Sequence, residues 1–271
     1  MAAGWTVGST AVLLLAGASR ISLASLGASL ELVDVAGGIV SVLVSLASLI
    51  TYPALLAVGL APVSANVTNT VSLVFTGIGS TISSQRELAG QRAMLGRLAV
   101  VGAAGGLTGA ALLLLLPAKT FELVAPLLIA GASVALIVQP RIRERPLFRP
   151  AGLRPGRVAA YFLTAVYTGY FGAAGGILTI VALGAIIARP FIEVNAAKNT
   201  LAGVANGVAA IAFIAFGPVA WSHVLPLAAG LLTGGLIGPR IARRIPGPVL
   251  RVVVATCGLA VAAVLAWRTY G

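Results

Sequence analysis

The sequence predicts an all-α membrane protein of two inverted repeats, each a broken-helix hairpin followed by three transmembrane helices. Three observations predict it. The 271 residues are 59% hydrophobic and 9% charged, with apolar runs along the whole length, more apolar surface than one soluble core hides. The nearly uncharged run 157–188 would be about 48 Å long as one straight helix, against a hydrocarbon core of about 30 Å. The basic residues gather between apolar runs instead of forming one patch or tail.

In chain order, the coarse spans are 9–28, 32–61, 65–84, 94–116, 121–139, 157–188, 195–216, 223–239 and 249–268. Pro117, Pro140, Pro190, Pro218 and Pro239 punctuate their ends, as helix stops do. Residues 1–30 fit neither repeat and read as an extra helix, a leader or a misplaced start. Arg20 and five serines (Ser9, Ser19, Ser22, Ser25, Ser29) make a poor helix, and no basic n-region or cleavage signal marks a leader. The first repeat covers 31–140, a basic cytoplasmic linker 141–156, and the second repeat 157–271.

Charge decides how the spans thread. With single crossings from 32 onward, about 10 of the 18 basic residues fall on the cytoplasmic side. If 32–61 and 157–188 are instead hairpins that enter and leave on one face, 15 of 18 do, leaving Arg20, Lys119 and Arg268. Three crossings after each hairpin invert the second copy. Trp221, Trp267 and Tyr270 then sit at the outer interface. A faint internal repeat agrees: Ala65-Asn66-Val67-Thr68-Asn69-Thr70 aligns with Asn195-Ala196-Ala197-Lys198-Asn199-Thr200, and both Asn-Thr pairs open the helix after a hairpin.

The same composition excludes several functions. A net charge of +12, distributed over loops between spans, speaks for membrane orientation and against nucleic acid. One cysteine, Cys257, rules out an internal disulfide and a Cys-based metal cluster, and one histidine, His223, rules out a multi-histidine site. No cofactor is expected. There is no G-x-S-x-G, no H-E-x-x-H and no Ser–His–Asp set, so the chain is not read as an enzyme.

The candidate substrate-binding residues follow from the breaks. Gly172, Gly175 and Gly176 remove side chains from the hairpin tip and open a half-helix at Ile177, whose N–H groups attract anions. Tight packing through small residues is the competing explanation. In the first hairpin Ser45, Ser48 and Thr51 supply hydroxyls and Pro53 a helix breaker, although such hydroxyls often bond back to their own helix. On the helices that follow, Asn66, Asn69 and Thr70 are matched by Asn195, Lys198, Asn199, Thr200 and Asn206. Asn199 and Asn206 share one face with Gly203 between them. Lys198 balances a bound anion or snorkels to the headgroups. Asp34 and Glu193 are candidate proton carriers.

Three stretches resemble the TauE/SafE-type sulfite exporter family, also called TSUP: ASLITYPALLAVGLAPVSANVTNTV (47–71), YTGYFGAAGGILTIVALGA (167–185) and EVNAAKNTLAGVANGVAAIAFIAFGPVAW (193–221). The likeness covers about residues 32–268. It implies an inner-membrane permease of two related halves handling sulfite, sulfonates or other small sulfur-containing anions. Many members carry a glycine cluster in the first hairpin, where this chain has Ser45-Leu46-Ala47-Ser48. The expectation is a secondary transporter of a small anion in the prokaryotic plasma membrane, with a passive anion channel or a non-transporting scaffold subunit as alternatives. Its partners would be the anionic substrate and the lipid bilayer. The coupling ion, proton or sodium, and assembly into a homo-oligomer stay open.

Overall fold

The computed structural model describes residues 47–143, 152–171, 175–187, 189–242 and 247–270. Among them are nine helices and no strand: α1 (Ala47–Ala57), α2 (Pro62–Ser83), α3 (Arg92–Leu115), α4 (Ala118–Arg143), α5 (Pro155–Tyr170), α6 (Gly175–Gly184), α7 (Phe191–Phe216), α8 (Trp221–Ala242) and α9 (Gly247–Tyr270). The segment 1–30, Ser45, Gly172 and the proposed proton carrier Asp34 lie outside the described residues.

Among the described residues, three helices are both long and apolar enough to cross a bilayer: Arg92–Leu115, Ala118–Ala135 and Ile192–Phe216. The sequence suggested more. α2 has 22 residues, enough length for a crossing at about 1.5 Å each, but it carries a polar interior. Asn66, Thr68, Asn69, Thr70, Ser72, Thr76 and Ser80 are all buried along it. A helix enclosed by other helices can be polar because neighbours, not lipid, receive its hydrogen bonds. The lipid-facing surface is apolar by contrast, with Val100, Leu115, Leu127, Leu163, Ile211 and Phe216 exposed.

Segment 157–188 does double back. α5 stops at Tyr170, α6 resumes at Gly175, and the Arg157 guanidinium donates to the carbonyl of Ala185. The start of α5 therefore meets the end of α6, while Gly175 lies against Thr168 near the tip. α6 begins at Gly175, two residues before the Ile177 expected from the glycine pattern, and Ile177 is packed in the core. The 16 residues of α5 cover about 24 Å along the helix.

Of the expected first hairpin only residues 47–61 are described, and they differ from expectation at Pro53. α1 runs through this proline without a break. Only the amide of residue 53 and the carbonyl of residue 49 lose their helical bond, and packing against α2, α4 and α9 holds the rest of the helix.

Side-chain pairs fix the helix directions. Gly77 of α2 abuts Gly203 of α7, and Thr81 Oγ1 lies 3.1 Å from Thr200 Oγ1. As the number rises in one helix it falls in the other, so α2 and α7 are antiparallel. α3 runs parallel to α5 and α7, since Gly102 meets Tyr161 and Leu201, and Gly106 meets Gly169 and Ala205. α2 runs parallel to α8 through Thr68 with Ala220 and Thr76 with Leu231. α4 and α9 are antiparallel, tied where the Tyr270 hydroxyl donates to the Leu123 carbonyl.

These directions collect Arg86, Arg92, Arg154, Arg157 and Arg189 at one end of the bundle, called here the basic end. Trp221, Trp267 and Tyr270 are exposed at the opposite end. Two apolar cores result. The larger joins α1, α2 and α4 to the α5 tip, α6 and the later helices. The smaller, around Leu88, Leu98, Tyr161, Leu183, Ile187 and Leu201, seals the base of the second hairpin.

Candidate functional site

The tip of the second hairpin is held by the other half of the chain. The last carbonyls of a helix lack intrahelical donors. Asn66 of α2 donates from Nδ2 to the Tyr170 carbonyl at 2.9 Å, so a side-chain amide closes the end of α5. One turn along α2, Asn69 Oδ1 accepts from Thr51 Oγ1 of α1 at 2.5 Å. Asn66 and Asn69, three residues apart, thus serve the second-hairpin tip and the first-hairpin helix from one side of α2. Aromatic rings surround this junction: Tyr52 meets Phe171 edge-on at 5.4 Å between centroids, and Phe121 meets Phe171 at 5.7 Å.

The junction is polar and incompletely satisfied. Asn66 Oδ1, Asn69 Nδ2 and the Tyr52 hydroxyl are buried without a hydrogen-bond partner. So is Asn206 Oδ1 on α7. Each unsatisfied group costs about 1–3 kcal/mol when sealed from water. Acceptors and donors together suit a small polar guest.

The remaining candidates divide. Ser48 is buried on α1. Thr70 Oγ1 bonds back to the Asn66 carbonyl at 2.9 Å, the local use that competes with a binding role. Gly175 packs directly on Thr168, which supports close helix contact at that glycine; Gly176 is half-buried beside it. Asn195, Asn199 and Thr200 are half-buried on α7. Lys198 is only 2% exposed. A lysine enclosed to this degree does not run its ammonium out to the headgroups, so the snorkelling explanation fails on geometry.

The candidates do not converge on one point. Thr200 touches Thr81, and Asn69 lies twelve residues back along α2, about 18 Å of helix. Lys198 and Asn199 therefore sit toward the basic end, and Asn66 and Asn69 toward the other. Asn69 and Asn199, aligned in sequence, occupy opposite levels of the bundle.

Sequence reasoning passed over three residues here. Tyr52 reads as one more apolar position of α1. Tyr170 contributes through its backbone carbonyl, which no residue pattern announces. Gln91, 3% exposed, donates from Nε2 to Glu193 Oε2 at 3.2 Å and so joins the α2–α3 connection to the start of α7. Glu193, expected as a proton carrier, also lies 3.6 Å from Arg189. Gln91 and Glu193 are 102 residues apart, so no local sequence signal pairs them.

The chain is similar to known membrane transporter proteins. The chain is 23% identical over 227 residues to the probable membrane transporter protein YfcA of Escherichia coli (strain K12), covering 82% of this chain and 83% of that protein. The YfcA proteins of Escherichia coli O6:H1 and O157:H7 match to the same extent. No solved structure gives a significant match. The family model described as sulfite exporter TauE/SafE matches residues 32–265, most of the length and both hairpin segments. The chain belongs to the sulfite exporter TauE/SafE family of membrane transporters.

Proposed function

We propose that this protein is a secondary transporter that moves a small anion, sulfite, a sulfonate or a related sulfur-containing compound, across a prokaryotic plasma membrane. It works by alternating access between two inverted repeats, with the broken hairpins at the site. The carrying observation is the junction at the second-hairpin tip. A helix end inside the membrane is closed by Asn66 of the other half, and buried amide and hydroxyl groups beside it have no protein partner. Broken helices joined across two halves are where transporters hold substrate, because the freed backbone groups must line a cavity or meet a ligand.

The helix directions support the inverted reading. α2 and α7 are antiparallel, and the contact of α3 with α7 is matched by that of α8 with α2. The packing of α1 on α2 is matched by that of α6 on α7. Aligning Asn69 with Asn199 puts the centre of this exchange at the α2–α7 crossing, between Gly77 and Gly203.

The test is anion flux into proteoliposomes, offering sulfite, thiosulfate, taurine, sulfoacetate and phosphate with and without proton and sodium gradients. Concentrative uptake of one of the sulfur compounds, dependent on a gradient, is the expected result. Flux that only equilibrates would make the protein a channel. No flux together with stable association to another membrane protein would make it a scaffold.

A further inference from the structure

At the basic end a cavity of about 450 Å³ lies between the end of α2, the start of α3 and α7. Its lining includes Gln85, Leu88, Arg92, Leu95, Gly96 and Thr200. We propose that this cavity is a water-filled antechamber that draws small oxyanions in through Arg92 before they reach the transport site. The proposal rests on the transport reading above, and it concerns a place that reading does not use.

Three features carry it. The first is depth. Arg92 opens α3 at the basic end, and Leu201, beside Thr200, has its carbonyl against Gly102. On α3 the lining runs from Arg92 to Ala99, seven residues along, so the cavity follows about 10 Å of that helix. The second is its inner boundary. Thr200 shares a 3.1 Å hydroxyl contact with Thr81, and Thr81 also donates to the Gly77 carbonyl at 2.7 Å. A polar boundary at this depth suits water and a hydrated anion, whereas a lipid tail would leave those hydroxyls against hydrocarbon. The inner boundary also adjoins the α2–α7 crossing, one turn from Gly77 and Gly203.

The third is charge. Arg92 is the cation that lines the cavity. Near the rim, Glu193 is engaged by Arg189 at 3.6 Å and by Gln91 at 3.2 Å, so its charge is locally offset. No acid is among the described residues of the lining, which leaves Arg92 to set the sign. A cation lining a cleft with apolar walls concentrates anions there.

The experiment reads the cavity directly and needs no flux. In a Cys257→Ser background, Gly96→Cys places a thiol in the cavity, where an added Cβ meets nothing within 4 Å. The purified protein in nanodiscs is treated with anionic methanethiosulfonate ethylsulfonate and with its cationic trimethylammonium counterpart. The rates are normalised to free cysteine. The anionic reagent should react faster, and Arg92→Gln should lower the anion-to-cation ratio several-fold. Arg154→Gln, at the same end but not lining the cavity, should leave the ratio unchanged. A thiol that reacts with neither reagent, or a ratio indifferent to Arg92→Gln, overturns the proposal. Labelling blocked in nanodiscs of anionic phospholipid but not of phosphatidylcholine overturns it as well, in favour of a lipid headgroup site. A protein that labels as expected yet moves none of the anions would leave the antechamber standing and the transport reading without support.

Discussion

The two ends of the α2–α7 pair hold their connections differently. At the basic end, the start of α7 is joined to the α2–α3 connection by Gln91 donating to the Glu193 carboxylate, with Arg189 alongside. At the opposite end, the start of α2 is joined to the α7–α8 connection by Ser64 donating to the Pro218 carbonyl at 2.8 Å. There the Ala220 amide also donates to Thr68 Oγ1 at 3.0 Å. The two connections lie at opposite ends of one helix pair and use unlike chemistry. One clasp uses a carboxylate, the other neutral groups of the backbone and hydroxyls. Hydrogen bonds to a charged group contribute more than neutral ones, about 1.5–3 against about 0.5–1.5 kcal/mol. Both clasps are made at once. The difference teaches that the two ends of one helix pair can be fastened with unequal strength.

The largest expected effect is all-or-none and concerns which end faces the cytoplasm. In a Cys257→Ala background, cysteines replacing Arg154 and Arg243 should both be protected from an impermeant thiol reagent in intact cells. A cysteine at Lys119 should react. Labelling of either Arg154→Cys or Arg243→Cys from outside would sink the hairpin model.

Next in size is Lys198→Ala. Removing an enclosed cation should raise the half-saturation concentration for transport at least about tenfold, or about 1.4 kcal/mol. Lys198→Arg should rescue only part of it, because a planar guanidinium directs its donors differently from a compact ammonium. Unchanged affinity in Lys198→Ala would remove this residue from the site. Asn199→Ala should weaken binding offered at the basic end, and Asn69→Ala binding offered at the other. Equal effects from both faces would mean that the two levels act as one site.

Asn66→Ala should lower the stability of the purified protein by about 1–3 kcal/mol, since it strands the Tyr170 carbonyl inside the bundle. Thermal unfolding in detergent measures it. A wild-type transition would show that water closes the helix end equally well.

The smallest effects should come from the clasps. Glu193→Gln removes the charge and should speed labelling of Gly96→Cys a few-fold, whereas Ser64→Ala, at a more exposed neutral bond, should change it little. A larger response to Ser64→Ala would invert the comparison between the two ends.

Much of this was legible in the chain because it follows from length and charge. A nearly uncharged run of 32 residues is too long for one straight crossing, and GAAGG marks where it turns. The arginines assign the loops to one face without reference to packing. The type of residue at the junction was legible too, since an asparagine inside a membrane segment needs a partner. Its partner was not. Asn66 and Tyr170 are 104 residues apart, and no local period encodes that meeting. Pro53 misled for the same reason in reverse. The local rule predicts a break, and tertiary packing keeps α1 whole. Lys198 could be read either way until enclosure on all sides, a property of several helices together, decided against the headgroups.

The glycines of α3 have a consequence for how the protein is made. Gly102 and Gly106 bring the α3 backbone against α5 and α7, and Gly105 and Gly109 press it onto α5. Added side chains at Gly105, Gly106 or Gly109 would run into carbonyl oxygens of the facing helices. The seat of α3 is therefore built from residues translated some fifty to a hundred positions later, and α2 likewise waits for α8. As the nascent chain leaves the ribosome, the first half enters the bilayer with its smallest, most polar faces uncovered. Expressed alone it would be held by the insertion machinery or degraded, and two separately encoded halves would need to meet in the same membrane before either became durable.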